Sequence, residues 1–481
     1  MFGLDIGLSI LLGICLLCVC AFEFINGFHD TANAVATVIY TKSLKPWVAV
    51  VISGLLNGIG VFVGGTAVAM GIIKMLPVET LVDQNMAHSV GMVAAILITA
   101  ILWNLGTWYL GIPASSSHTL IGSILGVGIA YSFLPGVEGA AVNWHKVRDI
   151  GLALLCSPIF GFGFAMVLMY LLKSLFGKNE ALFAEPDGDT PPPWWMRAIL
   201  VGTCCAVSFS HGSNDGQKGI GLMMLILIGI VPGYFALNQS SDFSQLDRVV
   251  ASVQDAASEI ATSELSGADK STMEKLQKDI AALAAIGQGL NGFGQLDAPE
   301  SGEETSDAQF EVRKEILLIT DAVKKLDGSA RRLTGDNPLV AKIGALSKAS
   351  KGLTQFTEYA PPWVIVLIAL SLGIGTMIGW KRIVVTIGEK IGKTHLSYAQ
   401  GAAAEMVAAS TIAISTFGLH LPVSTTHVLS SGIAGTMFAR GGKDNMQWST
   451  VSKIIWAWVL TAPVCIVVSG LLFLLFRQIT G

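Results

Sequence analysis

"INGFHDTANAVAT", residues Ile25–Thr37, places Asn26, His29, Asp30, Thr31 and Asn33 inside a run that otherwise reads as a membrane-spanning helix. A charged side chain within a span costs roughly 2.5–3.5 kcal/mol on insertion scales, so such residues are retained for function. The pattern also recurs. "FSHGSNDGQKGIG", from Phe209, aligns with "FINGFHDTANAVA", from Phe24, so that Gly27 lies over Gly212 and Asp30 over Asp215. In the same alignment His29 lies over Asn214, and Asn33 over Lys218.

A second pair follows downstream. "GIPASSSHTLIGSILG", from Gly111, aligns with "HLPVSTTHVLSSGIAG", from His420. Pro113, Ser115 and His118 match Pro422, Ser424 and His427, while Ser116 and Ser117 fall over Thr425 and Thr426, and Gly126 over Gly435. Two motifs repeated in the same order indicate a duplicated chain.

Composition gives the setting. Of 481 residues, 52% are hydrophobic and 13% charged, with mean hydropathy +0.62. Soluble domains carry about 25% charged residues, so the chain reads as a polytopic membrane protein. A net charge of −4 argues against a nucleic-acid partner. The opening "MFGLDIGLSILLGICLLCVC" lacks a basic n-region and a small-residue cleavage site, and reads as a retained span. Cys15, Cys18 and Cys20 have no His or acid at ligand spacing and read as small packing residues, so no metal centre is expected.

Ten apolar segments are recognisable, near 4–40, 47–73, 89–111, 114–134, 149–173, 196–236, 361–380, 397–418, 424–439 and 450–478. A straight span needs ~20 residues, so the first and sixth read as broken or hairpinned. Residues 237–360 are polar and Ala-rich; with residue 236 they hold 32 of the 64 charged residues. Val249, Val253, Ala256 and Ile260 recur there at helical spacing, as do Ile316, Ile319, Val323 and Leu326. This is an extramembrane helical insert. Lys42, Lys45, Lys173, Lys178, Lys381, Arg382, Lys390 and Lys393 place three loops in the cytoplasm, and the insert outside.

The expected fold is all-α and polytopic, with two inverted repeats, broken or re-entrant helices and about 10–12 transmembrane helices. The expected divisions are a first repeat over 1–175 and a cytoplasmic linker over 176–195. The second repeat then covers 196–236 and 361–481, split by the insert 237–360. Inverted repeats with Gly-interrupted segments at matching positions point to a secondary transporter with its site near the midplane.

The chemistry follows from the two motif pairs. Pro in a first helical turn, clustered hydroxyls and the free N–H groups of a helix start make an anion site. Ser115, Ser116, Ser117, Ser424, Thr425 and Thr426 are the candidate donors. Neither motif contains Arg or Lys, which suits a carrier that must release its cargo. Asp30 and Asp215, surrounded by His29, Asn33, Asn214 and Lys218, are the candidates for a small cation or a proton. Asn26, His211, Gln217, His118, His427 and Glu405 form a second ring of candidates, while Asn57 and Asn104 read as ordinary contacts between helices. An enzyme is not expected, since Ser115 and His118 lack a nucleophile-elbow context.

At these residues the chain resembles the PiT family of inorganic phosphate transporters, whose duplicated signature is close to "GANDVANA". "GFHDTANA" from Gly27 and "GSNDGQKG" from Gly212 occupy its two places, and the wording looks like the bacterial Pit-type low-affinity carriers. The resemblance covers roughly 20–236 and 361–475, not the insert. It implies a multi-pass protein of the bacterial inner membrane importing phosphate by cation symport. Bacterial Pit carriers are similar in being proton-driven and in accepting neutral complexes of phosphate with magnesium or another divalent metal. Sodium-driven members carry Asn–Asp–x–x–Asn in both repeats; here His29 replaces one Asn and Lys218 another. No cofactor beyond the co-transported proton or sodium is implied. A sodium-coupled carrier and a carrier of another tetrahedral oxyanion such as sulfate stay open, as does a homodimer.

Overall fold

A computed structural model describes residues 4–30, 32–77, 80, 86–134, 142–186, 191–265, 267–297, 303–331 and 337–480. The side chains of 32, 33, 86–88, 297, 303–306 and 480 also lie outside the description. The described residues are helical, with one isolated bridge between Gly392 and Met446 and no strand.

The first half contains α1 (Ile6–Asp30), α2 (Ala32–Tyr40), α3 (Pro46–Gly64), α4 (Ala67–Ile73), α5 (Met86–Tyr109), α6 (Ser116–Ser132) and α7 (Trp144–Phe176). Next come α8 (Trp194–Ile230) and the insert helices α9 (Ser244–Ser258), α10 (Gly267–Gly289), α11 (Glu303–Ala330) and α12 (Pro338–Thr354). The chain closes with α13 (Pro362–Thr376), α14 (Lys381–Glu389), α15 (Tyr398–Ala413), α16 (Thr425–Gly441) and α17 (Trp448–Thr480). Two compact units result. One comprises Met1–Ser9, Val78–Met86 and Ile226–Tyr359; the other holds the remainder.

Among the described residues, six helical stretches are long and apolar enough to cross a membrane, or seven if the pair α13 and α14, bent by 62°, counts as one span. That total is below the expected ten to twelve. The motif helices α6 and α16 have 17 residues each. At ~1.5 Å per residue they reach about 26 Å, short of a ~30 Å hydrocarbon core.

The larger unit bears the imprint of the duplication. Helices α7 and α17 have 33 residues each, with a proline inside at Pro158 and Pro463. Helix α16 packs on α7, α17 on α6, and α13 on α3. Glycines permit the closest of these crossings. A Cβ on Gly60 would overlap the carbonyl oxygen of Phe209, and one on Gly375 would overlap that of Phe24, its repeat-mate. Likewise, Gly126 meets Ile466 of α17 and its mate Gly435 meets Phe162 of α7. Small residues let helix backbones approach where lipid supplies no hydrophobic drive.

These packings overturn the expectation of a broken sixth segment. Helix α8 runs unbroken for 37 residues through "SHGSNDGQKG". Its Gly212 serves close packing, since a Cβ there would overlap Asn57 O. Along the first segment, α1 and α2 lie on either side of residue 31, which is outside the described residues.

In the smaller unit, Leu246, Val250, Val253 and Ala257 of α9 pack with Ile316, Ile319, Val323 and Leu326 of α11. Val249 and Ala256, expected inside, sit at the edge of this core, because the buried stripe is rotated by one residue. Arg313 is buried and donates to Ala236 O at 2.9 Å and Thr357 O at 3.2 Å, tying the entry of the insert to its exit. Burial pulls Arg313 down to about 10, so it stays charged at neutral pH.

Candidate functional site

The site is assembled on α1, α6, α8 and α16. Asp30 ends α1, and Asp215 lies in the middle of α8; both are buried. On the facing helices, Ser115 and Ser424 are N-caps in extended conformation. Their hydroxyls accept the N–H of His118 and His427, both at 3.2 Å. Capping leaves Ser116 and Thr426 in first turns, where helix N–H groups lack intrahelical partners.

Both of these hydroxyls meet Asp30. Ser116 Oγ donates to Asp30 Oδ2 at 2.8 Å, and Thr426 Oγ1 to Asp30 Oδ1 at 2.8 Å. One hydroxyl from each repeat thus shares a single carboxylate. Ser116 Oγ also lies 3.3 Å from Asp215 Oδ2, and Lys218 Nζ lies 3.2 Å from the same hydroxyl. Lys218 Nζ donates to Asp215 Oδ2 at 2.5 Å, both side chains being fully buried.

Two imidazoles complete the cluster. His29 Nδ1 donates to Asp30 Oδ1 at 3.1 Å, and its Nε2 meets Thr107 Oγ1 at 3.1 Å. His211 Nδ1 lies 2.9 Å from Asn57 Oδ1, while its Nε2 points at Asp215 Oδ2, 3.4 Å away, and Asp30 Oδ2, 3.8 Å away. Asn57 Nδ2 donates to Thr376 Oγ1 at 3.0 Å, which turns its oxygen toward His211. With Nδ1–H given to Asn57, Nε2 can donate to the carboxylates only as an imidazolium. Asp30, His211 and Asp215 each offer a ligand atom, all within 4.8 Å of one another, a donor set of the kind that holds a metal ion.

Other candidates take supporting positions. Asn214 donates to Thr416 Oγ1 at 2.8 Å and accepts from Val423 N at 3.2 Å, orienting the approach to α16. Ser117 donates to Val423 O at 2.9 Å, joining the two motif segments. Gln217 bonds to backbone at Gly64, Val68 and Ser213 and serves packing. Thr425 is buried within the first turn of α16. The side chain of Asn33 lies outside the described residues.

Three candidates lie apart from the carboxylates. Glu405 accepts from Thr37 and from Thr203 Oγ1, the latter at 2.5 Å. The imidazoles of His118 and His427 lie 4.5 Å apart with their planes tilted by 33°, and line an apolar cavity of about 660 Å3 with Trp458. The amide of Asn104 finds no hydrogen-bond partner among the described residues, so it is not the ordinary contact expected.

Asn57, Thr107 and Glu23 were not singled out from the sequence as site residues. Glu23 carried the clearest signal, a carboxyl in "CAFEFING", seven positions before Asp30 on the same apolar helix. Asn26 Nδ2 donates to Glu23 Oε2 at 3.2 Å, and Glu23 is fully buried.

Helices long enough to cross a membrane, in two matched halves whose motifs converge on buried carboxylates, define a membrane carrier rather than an enzyme. The chain belongs to the phosphate transporter family, whose profile matches residues 26–469. It is 39% identical over 501 residues to the low-affinity inorganic phosphate transporter PitA of Escherichia coli K12, covering 99% of this chain and 98% of that one. With PitB of the same strain it shares 40% over 505 residues, covering 99% of each. The solved structure titled "The sodium-dependent phosphate transporter" superposes with TM-score 0.55 at 19% identity, covering 98% of this chain and 99% of that one, and shares the fold.

Proposed function

We propose that this phosphate transporter imports its substrate by proton symport, as a neutral complex of phosphate with a divalent metal. The observation that carries the coupling is Lys218. Its ammonium, 2.5 Å from Asp215 Oδ2, stands where the first repeat has Asn33. A fixed internal cation fills one of two pseudo-equivalent cation positions and removes the need for sodium there.

Ser116 and Thr426 are the phosphate donors of this reading, with the N–H groups of the two first turns beside them. In the described state Asp30 holds both hydroxyls. Phosphate would take them over as Asp30 turns to a cation. The trio Asp30, His211 and Asp215 supports the metal-bound form, because carboxylate and imidazole could meet a divalent ion delivered with the phosphate. Inverted repeats would expose the site to each side in turn, with the insert outside the inner membrane.

Labelled phosphate uptake into liposomes, under separately imposed pH and sodium gradients with and without magnesium, tests the proposal. A pH gradient alone should drive accumulation, and magnesium should increase it. Uptake driven by sodium with no pH gradient would overturn the coupling, and competition by sulfate would broaden the substrate.

A further inference from the structure

Glu23 is a fully buried ionisable residue on α1 to which the reading above gives no work. Glu23, Asn26 and Asp30 recur at spacings of three and four, so they form one stripe on α1. Among the described residues, only Glu23 Oε2 has a donor, from Asn26, and Glu23 Oε1 and Asn26 Oδ1 are buried without hydrogen-bond partners. An ionised carboxylate offers about four acceptor sites, so this environment underserves it badly. A proton on the carboxyl converts an acceptor into a donor and removes an unpaired buried charge.

The opposing helix is shaped for this group. A Cβ on Gly219 would overlap Glu23 Cγ and lie 2.7 Å from Oε1. The missing side chain therefore makes the space that Glu23 fills, one residue beyond Lys218. Lys218, Asp215 and His211, all on α8, are the charged and titratable groups close enough to act electrostatically on Glu23 among the described residues. By the repeat alignment Glu23 corresponds to Ser208, which bonds to Ser53 Oγ at 2.9 Å and Cys204 O at 2.8 Å. The two halves thus differ at two sites that converge: the second repeat supplies an internal cation, and the first an extra carboxyl beside it.

We propose that Glu23 is the proton-binding site of the transport cycle. It takes a proton on the uptake side, keeps it while phosphate is bound, and gives it up to the opposite side after release. Net transport requires that loss, because the unloaded carrier must return without the proton. Exchange of bound for free phosphate does not, because the carrier shuttles loaded in both directions. This inference rests on the proton-symport reading.

The test uses the full-length protein in liposomes, with Glu23→Gln and Glu23→Asp beside the unsubstituted chain and labelled phosphate as probe. A pH gradient should drive accumulation by the unsubstituted chain. In Glu23→Gln, gradient-driven accumulation should fall at least ~10-fold while phosphate–phosphate exchange persists, and Glu23→Asp should restore part of the accumulation. Accumulation by Glu23→Gln equal to the unsubstituted chain overturns the assignment. So does loss of exchange together with uptake, which would make Glu23 a structural or binding residue. An unsubstituted chain that ignores the pH gradient removes the symport reading and this inference with it.

Discussion

Lys218 Nζ lies 2.5 Å from Asp215 Oδ2, in a turn of α8 where both side chains are shielded from solvent. Removing one partner of a buried pair leaves an uncompensated charge and costs roughly 3–5 kcal/mol. In Lys218→Asn, which restores the residue type of the first repeat, Asp215 should recruit a cation from solution to offset that cost. Uptake by the variant should therefore rise with sodium, while the unsubstituted chain stays indifferent. The measurement is phosphate uptake in liposomes at fixed pH with sodium varied against choline. A sodium-independent variant with full activity would deny Lys218 its part in coupling.

Ser116 and Thr426 come from different repeats and converge on Asp30 at the same distance, 2.8 Å. If they are the phosphate donors, Ser116→Ala and Thr426→Val should each raise the KM for phosphate about tenfold, near 1.4 kcal/mol, the upper range for one hydrogen bond. Ser115→Ala should act differently. Its hydroxyl caps α6, so the loss should appear as about 1 kcal/mol of stability. Uptake kinetics together with thermal denaturation in detergent separate the two effects.

The duplication, the helical class and the polar residues that gather at the candidate site were legible because each rests on local pattern. Asp30 and Asp215 stand out in apolar surroundings, and "PASSSH" with "PVSTTH" fixes two helix starts. What sequence hid is what depends on distant contacts. Glycine in "SHGSNDGQKG" suggested a broken helix, yet Gly212 is there because Asn57 O comes so close. The six hydroxyls looked equivalent, yet Ser115 and Ser424 cap their own helices and Ser117 binds Val423 O. Glu405 read in one dimension either as a cavity carboxylate or as an interhelical hydrogen-bond partner, and it bonds to Thr37 and Thr203. Spacing along a chain does not say which neighbour a side chain reaches.

Arg313 joins the two ends of the insert through Ala236 O and Thr357 O. Hydrogen bonds from a charged donor contribute roughly 1.5–3 kcal/mol each, and Arg313→Leu leaves both carbonyls without that partner. The variant should lower the unfolding temperature of the protein and speed proteolysis within the insert. Fluorescence melting and limited trypsin digestion report this directly. An unchanged melt and digestion pattern would show that other contacts hold the insert closed.

Gly60 and Gly375 give the duplication an energetic test. Each faces the backbone oxygen of one of two matched phenylalanines, Phe209 and Phe24. An added methyl cannot be absorbed by a rigid helix carbonyl, so the helices must separate, at a cost of typically ~1–3 kcal/mol for overpacking. Gly60→Ala and Gly375→Ala should therefore destabilise by similar amounts, because they strike the same contact in two copies. Gly58→Ala is the control. Its Cβ would lie 3.5 Å from Ala369 O, an ordinary contact, and alanine removes the ~1 kcal/mol penalty of glycine within a helix. Thermal denaturation of the three purified variants should show two matched losses beside one unchanged or raised midpoint. Unequal losses at Gly60 and Gly375 would mean that the two crossings, though built from matched residues, no longer carry the same load.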